Sequence, residues 1–269
     1  MHALYTIAFS HYCERARWAL QRAGIAFVEH RSLPILHMGP VAFAVRLRKG
    51  PGGGASTGLS TPLLRLDDGR LLRDSRDIVA YAAETAPTLA VPLAADFGDD
   101  VAALELRFAR ELGRDSRLLA YHHLLADAAL LREVIAHNGS PAQRAIWTLG
   151  GPLLPGTIRR GLRIRPDRAE RARQRIDALW DDVDAALVDG RPWLGGAQFS
   201  SADLTFAALA APVLGISDGD GYGAWLPPRE RLPPTLRAEV ERWRSRPAGQ
   251  LATRAYAEQR QPVALAAQP

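Results

Sequence analysis

The period of the apolar positions changes repeatedly along the first part of this chain. Leu4–Phe9 is a short apolar run of strand composition, and directly after it the apolar residues fall at helical spacing, at Cys13, Ala16, Ala19 and Leu20. Ser10 stands at the junction. The same reading predicts a strand at Phe27–Arg31 and a helix at Val41–Arg48. Thr61-Pro62 then opens the apolar run Leu63–Leu66, where a proline is confined to an edge or to the first strand position. Asp67-Asp68-Gly69 is a hairpin signal leading to Leu71-Leu72, and Asp74 or Ser75 opens a helix through Ile78 and Val79. The order is strand, helix, strand, helix, strand, hairpin, strand, helix.

Beyond Asp99 strand signals nearly vanish. Asp99–Arg114 and Ser116–Ala136 read as one interrupted helix or two, and Asn138-Gly139-Ser140-Pro141 closes that unit and caps the next. Pro166–Val188 is the clearest helix, with Ile176, Leu179, Trp180, Val183 and Leu187 on its dry face and Asp181-Asp182 on its wet one. Leu204–Leu214 predicts an apolar helix and Gly215–Pro228 a loop, with short helices around Leu236–Arg244 and Ala248–Gln259. This pattern divides the chain into an α/β domain over 1–85, a proline-containing linker over 86–98, an all-helical domain over 99–260, and a disordered tail over 261–269.

At 269 residues, 47% apolar and 23% charged, the composition is that of a soluble globular protein of one large domain or two. A single cysteine excludes an internal disulfide and suits a reducing, cytoplasmic setting. No signal peptide and no membrane-spanning run is expected. The net charge of +5 invites a nucleic-acid reading, but Lys49 is the sole lysine and the arginines interleave with Asp and Glu. The cluster Arg159, Arg160, Arg163, Arg165 is flanked by Pro and Gly rather than stacking aromatics, so no nucleic-acid partner is expected. Adjacent His122 and His123 point to different helix faces, so no metal site is expected.

Chemistry gathers at the element ends. The first N–H groups of a helix lack internal partners and favour negative charge, so the Ser10 junction could hold a bound thiolate as readily as a phosphate. Ser10 is equally a plain N-cap, and Cys13 a small buried hydrophobe. Phe199-Ser200-Ser201-Ala202-Asp203 reads as a capping box, Ser200 at the N-cap and Asp203 three residues on. Its reading is structural.

In order and spacing these motifs resemble the glutathione S-transferase family, whose thioredoxin-like α/β N-terminal domain precedes an all-α C-terminal domain. The resemblance implies that Ser10 occupies the catalytic hydroxyl position, donating to the thiolate of glutathione, the co-substrate. Ser10-His-Tyr-Cys13 also overlays the Cys-x-x-Cys of glutaredoxins with the first cysteine replaced, which keeps open a Cys13-dependent thiol-disulfide reductase. Thr61-Pro62 matches the cis-proline position and Asp74-Ser75 the acidic-Ser pair of the γ-glutamyl end. Lys49, or Arg48, stands where many members place a basic residue for the glycine carboxylate, within a Gly-rich insertion over 49–58.

The acceptor pocket is expected from His11, Tyr12, Phe108, Arg114 and Tyr121, taking a small apolar electrophile, as in detoxification. Segment Asn138–Arg165 reads as a wall or lid, or as a subunit contact. The family resemblance further implies a homodimer. The competing function class is a non-catalytic interaction module of the same fold.

Overall fold

The computed structural model describes residues 1–46 and 58–260. Lys49, Arg48, most of the Gly-rich insertion and the tail over 261–269 lie outside the described residues.

Strand β1 (His2–Ile7) runs into helix α1 (His11–Arg22) and returns as β2 (Phe27–Ser32), parallel to β1 with His2 opposite Phe27. A parallel return needs a crossover, and α1 supplies it. Helix α2 (Met38–Arg46) follows, then β3 (Leu63–Arg65), β4 (Leu71–Leu72) and α3 (Ser75–Thr85). β3 is antiparallel to both β1 and β4, giving the strand order β2-β1-β3-β4. Alternation sorts the core: Leu4 and Leu64 pack with Ala16, Leu20 and Ile78 on one face, while Ala3, Tyr5 and Leu63 pack with Val41 and Ala44 on the other.

After a short 3₁₀ turn at Ala94–Phe97 the chain is helical. α4 (Asp99–Arg107), a π-turn at Phe108–Leu112 and α5 (Gly113–Leu124) form one continuous rod. The break therefore lies at residues 125–127, where Asp127 caps α6 (Ala128–Asn138), and not at residue 115 as the sequence pattern suggested. Ser140 caps α7 (Pro141–Gly150), which leads into α8 (Leu153–Gly161) and α9 (Pro166–Ala186). α10 (Ser201–Ala210) is buried at every position, the signature of a helix enclosed by others. It ends four residues before the predicted limit. α11 (Pro234–Arg244) and α12 (Pro247–Gln259) complete the domain.

The capping box is present and buried. Asp203 Oδ2 accepts from the Ser200 N–H at 2.9 Å and its hydroxyl at 2.7 Å, while Oδ1 accepts from the Leu194 N–H at 2.8 Å.

α1 joins the domains by packing against α3 on one side and α10 on the other. Trp18 stacks near Phe199 and Tyr256, and its indole N–H donates to the Gln259 carbonyl at 3.3 Å. Glu105 accepts from Arg15 across the same seam and from Ser201 and Thr205 within the helical domain. Deeper still, the fully buried Glu14 accepts from Arg17, from the Gly223 N–H at 3.0 Å and from Arg260 at 2.9 Å.

Candidate functional site

Ser10 sits where β1 ends and α1 begins, with β2 and β3 diverging to either side of β1. Crevices form at such switch points, outside the carboxyl ends of strands. Its backbone is extended (φ −75°, ψ 128°), and its hydroxyl makes no capping hydrogen bond to a backbone N–H of the helix it opens. That leaves a half-buried hydroxyl at the positive end of a helix without a capping duty. The Cys13 thiol lies against the Ser10 and Thr61 hydroxyls; burial pushes its pKa up, more than Arg17 and these contacts lower it. Cys13 is completely buried.

Thr61-Pro62 is a cis peptide, and Thr61 lies beyond Leu63, the last paired residue of its ladder. Ser10 and Thr61 line one cavity of about 400 Å³ between the domains. Its walls are mostly apolar, from α5, α6, α8, α11 and the turn after α10. Ile158 of α8 and Leu162 just after it make that part of segment 138–165 a wall of this cavity.

His11, Tyr12 and Tyr121 line the cavity. His11 Nε2 donates to the Gly113 carbonyl at 2.8 Å, since a carbonyl can only accept. Burial pushes its pKa down to about 3, with the Gly113 bond opposing and Arg117 assisting. Tyr12 presses on α5 where only glycine fits: a Cβ on Gly113 would lie 2.4 Å from the Tyr12 hydroxyl. Burial raises the Tyr121 pKa.

Two expected pocket residues lie elsewhere. Phe108 is fully buried against Phe206, ring centroids 5.0 Å apart, because the π-turn directs it into the helical core. Arg114 pairs with the buried Asp115 at 3.0 Å and faces a different cleft. Asp74 and Ser75 do not line the cavity either. Asp74 caps α3, accepting from the Arg76 N–H at 2.8 Å, on the side of α1 where its charge acts on Tyr12 and Arg15. Ser75 is buried beside it.

The sequence reading missed Arg117, His123 and Glu239 as cavity residues. Arg117 stands four residues before Tyr121, one turn along the same stripe, and that spacing was the available signal. Its guanidinium lies 5.7 Å from the Tyr12 ring centre. Glu239 is held by Arg173, with His123 Nε2 3.9 Å away. Among the described residues no cluster has the makings of a metal site. Nor is any described helix long and apolar enough to cross a membrane.

Set against known proteins, residues 4–90 match the family described as glutathione S-transferase, N-terminal domain. No curated protein matches the chain. Among solved structures, a glutathione S-transferase of Ceriporiopsis subvermispora in complex with glutathione is similar at 17% identity and TM-score 0.61, covering 96% of this chain and 97% of that one. One from Rhodospirillum rubrum F11 is similar at 19% identity and TM-score 0.51, covering 96% and 99%. Another, from Methylobacterium radiotolerans in complex with glutathione sulfonate, is similar at 16% identity and TM-score 0.50, covering 94% of each. The chain has a glutathione S-transferase-like fold, a thioredoxin-like N-terminal domain followed by an all-helical C-terminal one.

Proposed function

We propose that this protein is a glutathione transferase in which Ser10 activates the glutathione thiol for attack on a small apolar electrophile. One observation carries the reading: the Ser10 hydroxyl is free of capping and shares a cavity with Thr61 at the positive end of α1. A thiol is mostly protonated near neutral pH, and the thiolate is the nucleophile. A donated hydrogen bond and the helix dipole both favour the anion. One pKa unit corresponds to about 1.4 kcal/mol, within reach of such contacts.

In this reading the Cys13 thiol remains protonated and donates to the Ser10 oxygen, turning the Ser10 proton toward the cavity. Cys13 is then a positioning residue. Its burial and raised pKa argue against the reductase alternative, which needs an accessible thiolate. The Thr61 backbone would pair with the cysteinyl segment, and Asp74 and Ser75 would hold the γ-glutamyl end at the mouth of α3. Lys49 remains the candidate for the glycine carboxylate. The acceptor would fill the apolar cavity past Tyr12 and Tyr121. The complexes of the two structural relatives above, one with glutathione and one with glutathione sulfonate, support the choice of co-substrate.

The test is Ser10→Ala assayed with glutathione and an aryl halide. Loss of an anion-stabilising donor predicts a fall of about 10²–10³-fold in kcat with glutathione still bound. Cys13→Ala should keep most conjugating activity. Full activity in Ser10→Ala, or no calorimetric signal at millimolar glutathione with the parent, would overturn the reading in favour of an interaction module. The homodimer belongs to the same proposal; a light-scattering mass near 29.3 kDa, that of one chain, would refute it.

A further inference from the structure

Beside the main cavity opens a second cleft of about 200 Å³, and the two share Arg117, Gly161 and Leu162. Four arginines line it: Arg114 and Arg117 from α5, Arg163 from the turn after α8, and Arg168 from α9. Only Arg114 has a carboxylate partner among the described residues, Asp115, which also takes two hydrogen bonds from Arg175. Arg168 bonds to the Arg163 backbone carbonyl at 3.5 Å. Arg117 and Arg163 make no ion pair with any described residue.

Charges of one sign repel, and these four converge with Asp115 as the one carboxylate paired to any of them among the described residues. Arg163 is set there against its own backbone preference. It occupies the helix-ending position in the left-handed region (φ 51°), with its N–H on the Arg160 carbonyl and the Ile164 N–H on that of Arg159. Glycine is the usual residue at such a C-cap. An arginine side chain held there at the cost of strain points to a use for its charge.

Among the described residues the main cavity offers no unpaired carboxylate to compensate. Its Glu239 is already paired with Arg173, and burial and neighbouring positive charge hold His11 and His123 toward the neutral form. Arg117 is therefore the cation where the apolar cavity meets the arginine-lined cleft.

Resting on the transferase reading above, we propose that the acceptor is an apolar electrophile carrying an anionic group, a carboxylate, sulfonate or phosphate. Its apolar body lies in the main cavity and its charge against Arg117 and Arg163. Guanidinium forks match such oxyanions in charge and in bidentate geometry.

Calorimetry with an unreactive pair, 2-naphthoate and the nearly isosteric neutral 2-naphthamide, reads this subsite without turnover. The parent protein should bind the acid at least about ten times tighter than the amide, as a charge-assisted contact implies. Arg117→Gln should bring the ratio toward one, and Arg117→Lys, which keeps the charge and loses the fork, should keep part of it. Arg163→Gly is the discriminating variant: it relaxes the turn, so its melting temperature should rise while the acid preference falls several-fold. Equal binding of acid and amide by the parent overturns the proposal, as does a preference that survives both Arg117→Gln and Arg163→Gly. A loss of glutathione affinity in these variants with the acid-to-amide ratio intact overturns it too, assigning the cleft to a glutathione carboxylate. Should the acid preference behave as stated while Ser10→Ala conjugates at full rate, the transferase reading fails and the anion subsite stands.

Discussion

His11 is a charge-capable group held neutral beside the Ser10 hydroxyl. Its pKa is pushed down to about 3 by burial, whereas an unfolded histidine titrates near about 6.5. Unfolding therefore takes up a proton between those values, so this contribution is full above about pH 6.5 and is lost as pH falls toward 3. Glu29 is also depressed: burial would raise it, but Arg17 and Arg31 hold it down to about 2. Its contribution begins to fade only below the unfolded glutamate value, about 4.3. Between pH 6.5 and 4.5 the histidines dominate, and because burial also pushes down His30, His37, His122 and His123, His11 is read from the difference between the parent and His11→Asn. Thermal melts across that window should show the parent losing stability faster than His11→Asn, and parallel curves would count against a neutral buried His11. At this scale the places of Ser10, Thr61 and Asp74 at the ends of elements were legible because turn-forming residues and prolines act on their immediate neighbours. The place of Arg117 on the cavity wall was not, since it depends on elements distant in sequence that meet in space.

At the scale of elements, the helical pattern of α9, α11 and α12 came through because each has a distinct dry face and a proline at its start. The π-turn had no such signature. It lengthens one turn of the α4–α5 rod, and a turn that departs from the 3.6 period leaves Phe108 indistinguishable from a cavity residue by spacing alone. The capping box of α10 was legible because its two residues stand at a fixed interval. What spacing could not reveal is the third donor, the Leu194 N–H. Asp203→Ala removes the acceptor for three donors in a buried setting, and the loss should be about 1–3 kcal/mol or more in urea unfolding. Conjugating activity per folded molecule should stay at the parent level. A variant as stable as the parent would mean that the box contributes nothing to the core.

For the whole molecule, the domain order follows from composition and period, but the lock between domains does not. Nothing local marks Glu14 for complete burial, and its partners Gly223 and Arg260 lie 209 and 246 residues away. Arg260 also donates to Gln21 at 2.6 Å and lies over the Trp18 ring. Removing one partner of a buried ion pair leaves charge uncompensated, so Arg260→Ala should cost about 3 kcal/mol in urea unfolding. The cost belongs at the low end of that range because Arg17 and the Gly223 N–H still serve Glu14. An unchanged unfolding midpoint would show the contact to be ornamental.

The Glu14–Arg260 contact also sets a clock on biosynthesis. At about 5–20 residues per second, Arg260 is joined to the nascent chain on the order of 12–50 s after Glu14. Through that interval α1 carries a carboxylate with its most distant partner still untranslated. Until then Arg17, on the same helix, is the partner of Glu14 already made. The Glu14–Arg260 contact is therefore among the last in the molecule that can form, since it waits for the carboxy-terminal helix to be made.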